Sequence, residues 1–385
     1  MMNKDIHELI RLIHDGPTQV VLVVAGAGSR ALAELLGVSG ASGTLLEALV
    51  PYSTASFDAF LGQRVEKYAA AQSACLLAGR AYTRARWLAA EDVPIAGVSC
   101  TAAIISERPR RGTHRAHVAL WQAHEVVEYA LLLQKGARDR IGEETLVSRL
   151  LLNAVAEACG VSERLELGLL AGDGLQIKRH DVRSLAQRLY DGKCAYFGIQ
   201  ADAQPTSSDF RPPLILSGSF NPLHEGHLGM AEAAQTLLEH PVTFELAAMN
   251  VDKPSLSPQI VLQRMAQFAG RYSVLASHAP TYLQKSQLYP GATFIVGYDT
   301  AIRILDPRYY QQSYDNMLAA LGQIRTQGCR FLVAGRTDKD GSFRTLADIQ
   351  LPSSYADLFD AIPADLFRLD ISSSQLRAAK QRGTR

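Results

Sequence analysis

The segment 214–227 reads LILSGSFNPLHEGH, and it predicts a short buried strand, a turn of small residues and the start of a helix. Residues 214–216 are apolar, Ser217-Gly218-Ser219 form the turn, and a helical pattern follows His227. Backbone N–H groups at a helix start point outward and the helix dipole favours negative charge, so this arrangement predicts an anion site. His224 and His227 lie on one side of the helix start and can reach one anion together.

Two histidines at this spacing have other interpretations. They are equally expected as turn residues whose hydrogen bonds are satisfied within the protein. A zinc site is less favoured, because the metalloprotease helix places its histidines four residues apart beside a glutamate, and here Gly226 separates a closer pair. No cysteine or third histidine follows nearby to complete a ligand set.

The segment from Gly218 to His227 resembles the signature of the nucleotidylyltransferase superfamily, a glycine turn followed by His-x-Gly-His. That superfamily includes the nicotinamide and nicotinate mononucleotide adenylyltransferases, the pantetheine-phosphate adenylyltransferases and the cytidylyltransferases. A second segment, Ile371-Ser-Ser-Ser-Gln-Leu-Arg377, resembles the family's Ile-Ser-Ser-Thr-x-x-Arg, with Ser374 in place of threonine. The two motifs occur in the family's order, so the resemblance implies a Rossmann-like parallel sheet over residues 214–385.

The resemblance also implies a role for each matching residue. His224 and His227 would bind the triphosphate and stabilise the pentavalent phosphorus, while Lys253 and Arg377 would hold the β- and γ-phosphates. Mg²⁺ would be carried by the substrate oxygens, with few protein ligands. The other expected substrate contacts are Gly218, Ser219, Phe220 and Asn221 in the turn, Gly297 and Asp299 in a Gly-Tyr-Asp loop, Arg336 after a strand, and Ile371, Ser372, Ser373 and Ser374, of which Ser373 and Ser374 would donate hydrogen bonds.

Three of these residues have a structural alternative. Lys253 is equally expected as a solvated charge in a loop. Asp299 is equally expected as the N-cap of the helix that follows it. Arg377 falls in the first turns of an expected helix, where a cation opposes the dipole unless an anion is bound. That position favours the phosphate role of Arg377 over an ordinary salt bridge.

The first half of the chain begins with a continuous β-branched run, residues 19–24, which predicts a buried strand. The run enters Gly26-x-Gly28-x-x-Ala31, which fits the opening of a dinucleotide fingerprint, with Glu47 about 20 residues further on. A plain strand-to-helix turn is favoured over dinucleotide binding, because no clean βαβ unit follows.

Segments 28–53, 93–101 and 110–120 resemble the CinA C-terminal domain, an α/β domain in which some members hydrolyse the amide of nicotinamide mononucleotide. The alignment places Ala25 at the family's nucleophilic serine, and a methyl group cannot perform acyl transfer. Ser29 lies four residues later and would need a different geometry. We therefore expect a CinA-like scaffold without amidase activity, which serves dimerisation or ligand sensing.

The chain length and a Pro-rich polar segment at 201–213 predict two α/β domains, residues 1–200 and 214–385, joined by that segment as a linker. Residues 116–135 and 258–276 are expected to be helical. A net charge of +1 gives no argument for nucleic acid or an anionic membrane, and no apolar run is long enough to span a bilayer. Five scattered cysteines favour reduced thiols in the cytoplasm.

The preferred reaction is transfer of AMP from ATP to nicotinamide or nicotinate mononucleotide, with release of pyrophosphate, as in NAD biosynthesis. The Gly-Tyr-Asp loop and the CinA-like companion domain favour this substrate pair. A cytidylyltransferase that uses CTP and a phosphorylated alcohol would use the same motifs. A non-catalytic nucleotide-binding sensor or scaffold is the third hypothesis, and a complete triphosphate site argues against it.

Overall fold

The computed structural model describes residues 4–107, 112–206, 210–249, 255–338 and 341–368. The chain divides into two units, and neither is continuous in sequence. The first unit comprises Met1–Leu185, Ile199–Pro205 and Ala266–Arg271, and the second comprises Ala186–Gly198, Thr206–Met265 and Tyr272–Arg385.

Helices and strands alternate through most of the first unit. They are α1 (Lys4–His14), β1 (Gln19–Ala25), α2 (Ser29–Leu36), α3 (Ala41–Thr44), β2 (Leu45–Leu49), α4 (Thr54–Leu61), α5 (Ala71–Leu88), β3 (Ile95–Ala103), β4 (His114–Trp121), β5 (Glu125–Leu133), α6 (Arg140–Ala158) and β6 (Gly174–Asp181).

The first unit is built on a six-stranded mixed sheet in the order β2-β1-β3-β4-β5-β6. Strand β1 is parallel to β2 and β3, and β3 to β6 pair antiparallel. The apolar run of β1 is buried on both faces: Val20, Leu22 and Val24 pack in the core that includes α1 and α6, whereas Val21 and Val23 pack against α5. A strand with helices on both sides needs apolar residues at every position, which explains the continuous run.

The predicted helix at 116–135 is wrong, because this segment forms most of the antiparallel pair β4 and β5. A tight turn joins the two strands, where the Gln122 amide donates to the Glu125 carbonyl at 2.9 Å. Cross-strand neighbours such as Leu120 and Val127 are both buried in the sheet. Valine, tyrosine and tryptophan favour this pleated environment, so β-propensity and sheet burial outweighed the helical spacing.

The second unit follows α7 (Val182–Tyr190), which passes from one unit into the other. Its remaining elements are β7 (Tyr196–Ile199), β8 (Leu214–Gly218), α8 (Glu225–Leu238), β9 (Val242–Ala247), α9 (Pro258–Met265), β10 (Val274–Ser277), α10 (Tyr282–Leu288), β11 (Thr293–Gly297), α11 (Tyr298–Ile304), α12 (Tyr314–Thr326), β12 (Arg330–Ala334), β13 (Arg336–Thr337), β14 (Phe343–Arg344) and β15 (Phe359–Ala361), with 3-10 turns at Pro307–Tyr310, Leu346–Asp348 and Ser353–Leu358. A further 3-10 turn, Ala266–Phe268, follows α9 and belongs to the first unit.

The second unit carries a seven-stranded sheet in the order β15-β12-β11-β8-β9-β10-β7. The pairs from β15 through β10 are all parallel, which confirms the expected parallel-sheet fold. The chain runs from β8 outward to β9 and β10, and then returns to place β11, β12 and β15 on the other side of β8. The order therefore reverses between β8 and β11, and ligands of open α/β sheets bind at the carboxyl ends of strands at such a point.

Two boundaries differ from the sequence prediction. Residues 258–276 are not one helix, because α9 gives way to a 3-10 turn at Ala266–Phe268 and then to the buried strand β10. Gly270, two residues after the 3-10 turn, adopts φ +72°, which is incompatible with a continued helix. The expected linker 201–213 is divided between the units after Pro205, and β7 lies at the edge of the second sheet. None of the described helices has the length and apolar character to cross a membrane.

Candidate active site

The turn between β8 and α8 is held by the ring of Phe220. The ring is fully buried, and it contacts His227 and Phe244 edge-on, with centroids 5.1 and 5.6 Å away. A Cβ on Gly218 would lie 2.8 Å from the Phe220 ring, so only glycine fits there. Phe220 itself adopts φ +42°, a left-handed conformation that is strained for a residue other than glycine. The buried ring therefore anchors a strained turn.

The two histidine rings lie close together at the start of α8, with their planes inclined at 30°. The His224 ring caps the helix, because its Nδ1 accepts the Gly226 N–H at 3.1 Å. Nδ1 of His227 accepts the His224 N–H at 3.3 Å, and the ring centroids lie 3.8 Å apart. Because both Nδ1 atoms accept, each neutral ring carries its proton on Nε2. The pair can therefore present two Nε2–H donors at a helix N-terminus.

The surroundings of His227 determine its charge state. Burial, followed by the neighbouring His224 charge, lowers the pKa of His227 to about 3. His227 is therefore neutral near pH 7, and it acts on an anion as a hydrogen-bond donor rather than as a cation.

The Gly-Tyr-Asp loop lies at the end of β11, the strand next to β8. Gly297 is the N-cap of α11, and a Cβ built on it would meet no heavy atom within 4 Å. Asp299 lies in the first turn of α11, so its alternative role as the N-cap is wrong. Its carboxylate instead pairs with the guanidinium of Arg336, which begins β13, and both side chains are partly exposed.

These residues meet at the carboxyl edge of the second sheet. Gly218 ends β8 and Gly297 ends β11, on the two sides of the point where the strand order reverses. The ring of Phe367 lies against α8, within 2.9 Å of a Cβ built on Gly229. The chain thus reaches the helix of the histidine pair a few residues before the second motif. Lys253, Ile371, Ser372, Ser373, Ser374 and Arg377 lie outside the described residues.

In the glycine turn that follows β1, backbone N–H groups donate to the carboxylate of Glu144. Gly26 and Gly28 adopt φ +92° and +99°, and a Cβ on Gly26 would lie 2.2 Å from the Ala102 carbonyl oxygen. Glu144 of α6 accepts the Gly28 N–H at 3.0 Å, the Arg30 N–H at 3.2 Å and the Ser29 hydroxyl at 2.9 Å. These contacts account for the turn without a dinucleotide. Glu47 forms an ion pair with Arg84 at 2.7 Å instead.

The position aligned with the CinA nucleophile is Ala25, the last residue of β1. Thr101, its partner on β3, donates its hydroxyl to the Tyr68 carbonyl at 2.7 Å. The Ser99 hydroxyl donates to the Ala74 carbonyl at 2.6 Å. Both hydroxyls are therefore committed to backbone carbonyls. Within the described ranges, no group of three or more His, Cys, Asp or Glu side chains is arranged to hold a metal ion.

Residues 215–379 match the family model described as cytidylyltransferase-like. The second half of this chain therefore resembles the cytidylyltransferase-like family, and we refer to it as the cytidylyltransferase-like domain. The family supports a nucleotidyltransferase activity, in which a nucleoside triphosphate reacts with an acceptor. Comparison with curated proteins gave no significant match.

Solved structures of the CinA superfamily resemble the N-terminal part of the chain. The competence/damage-inducible protein CihA from Agrobacterium tumefaciens is 20% identical, with 41% of this chain and 98% of that chain covered and a TM-score of 0.33. A CinA superfamily protein from Escherichia coli is 16% identical, with 41% and 92% covered and a TM-score of 0.32. A competence or damage-inducible protein from Enterobacter asburiae is 15% identical, with 41% and 98% covered and a TM-score of 0.34.

The sequence did not single out Arg264, which contacts the cytidylyltransferase-like signature, or Phe367, which contacts α8 just beyond it. Arg264 in the last turn of α9 donates Nη1 to the Ser219 carbonyl at 2.9 Å. Phe367 packs on Gly229, as described above. The signal for Arg264 is a basic residue on the helix after the second strand of the domain. That signal is weak, because a basic residue in the last turn of a helix has the helix dipole as a sufficient explanation.

Proposed function

We propose that the cytidylyltransferase-like domain transfers AMP from ATP to nicotinamide or nicotinate mononucleotide and releases pyrophosphate. The observation that carries nucleotidyl transfer is the pair of histidines at the start of α8, of which His227 is neutral near pH 7, beside the point where the strand order reverses. Helix start, glycine turn and two imidazole donors together form a site suited to a phosphate chain.

Nucleotidyl transfer requires that the reacting phosphates be positioned and their developing charge be stabilised, and it does not require a protein nucleophile. A phosphate oxygen of the acceptor attacks the α-phosphorus in line, the bond to the bridging oxygen breaks, and pyrophosphate leaves. The Nε2–H groups of His224 and His227 donate to oxygens that gain charge in the transition state. Lys253 and Arg377 would hold the β- and γ-phosphates, Ser373 and Ser374 would donate hydrogen bonds, and Mg²⁺ would be bound through the substrate oxygens.

The choice of acceptor is supported by the loop at the end of β11. Gly297 has open space beside its Cα, which lets a planar ring or ribose approach the backbone. The Asp299 carboxylate, 52% exposed, accepts hydrogen bonds, and ribose hydroxyls and a carboxamide N–H₂ are donors. Arg336, its partner, supplies a donor for a carboxylate or phosphate. A pyridine mononucleotide carries groups that match both.

The cytidylyltransferase-like family description favours a second candidate, transfer of CMP from CTP to a phosphorylated alcohol. The same histidine pair serves either reaction, because it acts on the phosphate chain. The difference lies in the base and the acceptor.

The experiment is a panel assay of pyrophosphate release with Mg²⁺, in which ATP or CTP is paired with both pyridine mononucleotides, phosphopantetheine and glycerol 3-phosphate. We expect release only with ATP and a pyridine mononucleotide, and its loss in His227→Ala. His240→Ala is the matched control, because His240 is exposed in the loop after α8. Release with CTP and another acceptor would reject the substrate pair. Triphosphate binding without release for any pair would reject the enzyme and favour a sensor.

A further inference from the structure

Arg264 reaches from a neighbouring element into the signature turn. It lies in the last turn of α9 and is half-buried, and its Nη1 donates to the Ser219 carbonyl oxygen at 2.9 Å. Ser219 is exposed and lies between Gly218 and the buried Phe220. A charged donor makes a stronger hydrogen bond than a neutral one, so this contact is a strong restraint on one peptide group.

The restrained peptide group is the one that joins Ser219 to Phe220. In a trans peptide unit the C=O and N–H bonds are coplanar and point in opposite directions. Fixing the Ser219 oxygen toward Arg264 therefore directs the Phe220 N–H away from Arg264. The same unit leads into the left-handed φ of +42° at Phe220. A strained conformation of this kind persists only where its surroundings fix it from more than one side.

Two contacts fix the turn from different sides. The Phe220 ring is held by Gly218, His227 and Phe244, which sets the side chain. The guanidinium of Arg264 sets the backbone that precedes it. The ring alone leaves the 219–220 peptide able to rotate, because the ring constrains atoms beyond Cα and the peptide lies before it.

We propose that Arg264 is a positioning residue for nucleotidyl transfer, which holds the Ser219–Phe220 peptide in the orientation that the triphosphate site requires. The inference rests on the nucleotidyl transfer proposed above. Arg264 acts through the backbone of the turn.

The test uses Arg264→Gln, Arg264→Lys and Arg325→Gln in the full chain. Arg325 is a matched control, because it lies in the last turn of α12 and its Nη2 donates to the Ser354 carbonyl, also at 2.9 Å. It is on the helix that leads into the amino end of β12, away from the carboxyl edge. Steady-state kinetics with ATP and nicotinamide mononucleotide are measured together with the thermal midpoint of each variant.

We expect Arg264→Gln to lower kcat/KM for the triphosphate by on the order of 100-fold, as for a small misplacement of a reacting group. The KM for the acceptor should stay within about twofold, Arg264→Lys should recover part of the loss, and Arg325→Gln should match the wild type. An unchanged kcat/KM in Arg264→Gln would overturn the proposal. A loss that raises both KM values equally and follows a lowered thermal midpoint would also overturn it, because it would show a structural role only.

Failure of the proposed function can be distinguished from failure of the positioning role proposed for Arg264. If the wild type forms no product, binding of Mg·ATP by calorimetry replaces kinetics. Weaker binding by Arg264→Gln than by Arg325→Gln then supports the positioning role, and equal binding rejects it.

Discussion

The imidazole of His227 packs edge-on against the phenyl ring of Phe220, with centroids 5.1 Å apart and planes inclined at 73°. This contact joins the strained turn to the histidine pair. The ring that fills the core below the turn also excludes water from one face of His227. Burial of that imidazole is the main reason for its lowered pKa.

Acidification should therefore destabilise the free protein through His227. The group titrates at its ordinary pKa of 6.5 when unfolded and at about 3 when folded, so between these values the unfolded chain binds more protons. Stability from this group is complete above pH 6.5 and falls as the pH is lowered toward 3. Relative to His227→Asn, the wild type should lose about 2 kcal/mol between pH 7 and pH 5. Urea unfolding at several pH values measures this, and parallel pH profiles would contradict it.

The two strand-end glycines should respond to alanine in different ways. Gly218→Ala places a Cβ 2.8 Å from the Phe220 ring and should destabilise the protein by about 1–3 kcal/mol. Gly297→Ala meets no atom within 4 Å, so it should cost no more than about 1 kcal/mol, the loss expected when alanine replaces glycine at the N-cap of α11. Its KM for the acceptor should rise at least about tenfold, because a methyl group, worth about 1–3 kcal/mol of discrimination, would occupy the approach to the backbone. Chemical denaturation and kinetics of both variants check this, and equal kinetics for Gly297→Ala and wild type would place the acceptor elsewhere.

Removing the Asp299–Arg336 pair should change substrate use and leave stability almost unchanged. The side chains are 52% and 37% exposed, and exposed pairs contribute about 0–1 kcal/mol. Asp299→Asn and Arg336→Gln should each raise the acceptor KM while the thermal midpoint stays close to that of the wild type. The exposed ion pair between Arg11 of α1 and Asp15, the residue after that helix, supplies the control substitution Asp15→Asn. A lowered midpoint without a change in KM would assign the pair to structure.

The buried ion pair of Glu245 and Lys285 should behave differently. Both carboxylate oxygens accept from Nζ, at 2.7 and 2.6 Å, and the two side chains are at most 3% exposed. Lys285→Met leaves a carboxylate buried with Ser277 as a remaining donor, and should cost about 3–5 kcal/mol. Adding Glu245→Met should recover most of that loss, because no charge then remains buried. Guanidinium unfolding of both variants is the measurement, and a double variant less stable than the single one would refute the account.

The sequence was sufficient for the features that depend on short segments. The strand β8, its glycine turn and the start of α8 follow from fourteen consecutive residues, because period, turn residues and helix start are local signals. Local signals failed at 116–135, where cross-strand pairing decided the structure.

Contacts between distant segments could not be predicted from the sequence. Glu144 caps the turn at Gly28 across 116 residues, and Arg264 contacts Ser219 across 45. Each partner has an ordinary local explanation, a glutamate near the start of a helix and an arginine in the last turn of one. Only the fold shows that these side chains serve another segment, because the sequence pattern gives the face of a helix and not what lies opposite it.

Nucleotidyl transfer to a pyridine mononucleotide is tested most directly by the mass of the product formed from ATP and nicotinamide mononucleotide labelled with ¹⁸O in its phosphate. We expect a dinucleotide that retains the ¹⁸O in its bridging position, formed with one equivalent of unlabelled pyrophosphate and absent in His227→Ala. Orthophosphate and ADP in place of a dinucleotide, or a dinucleotide formed equally well by His227→Ala, would contradict it.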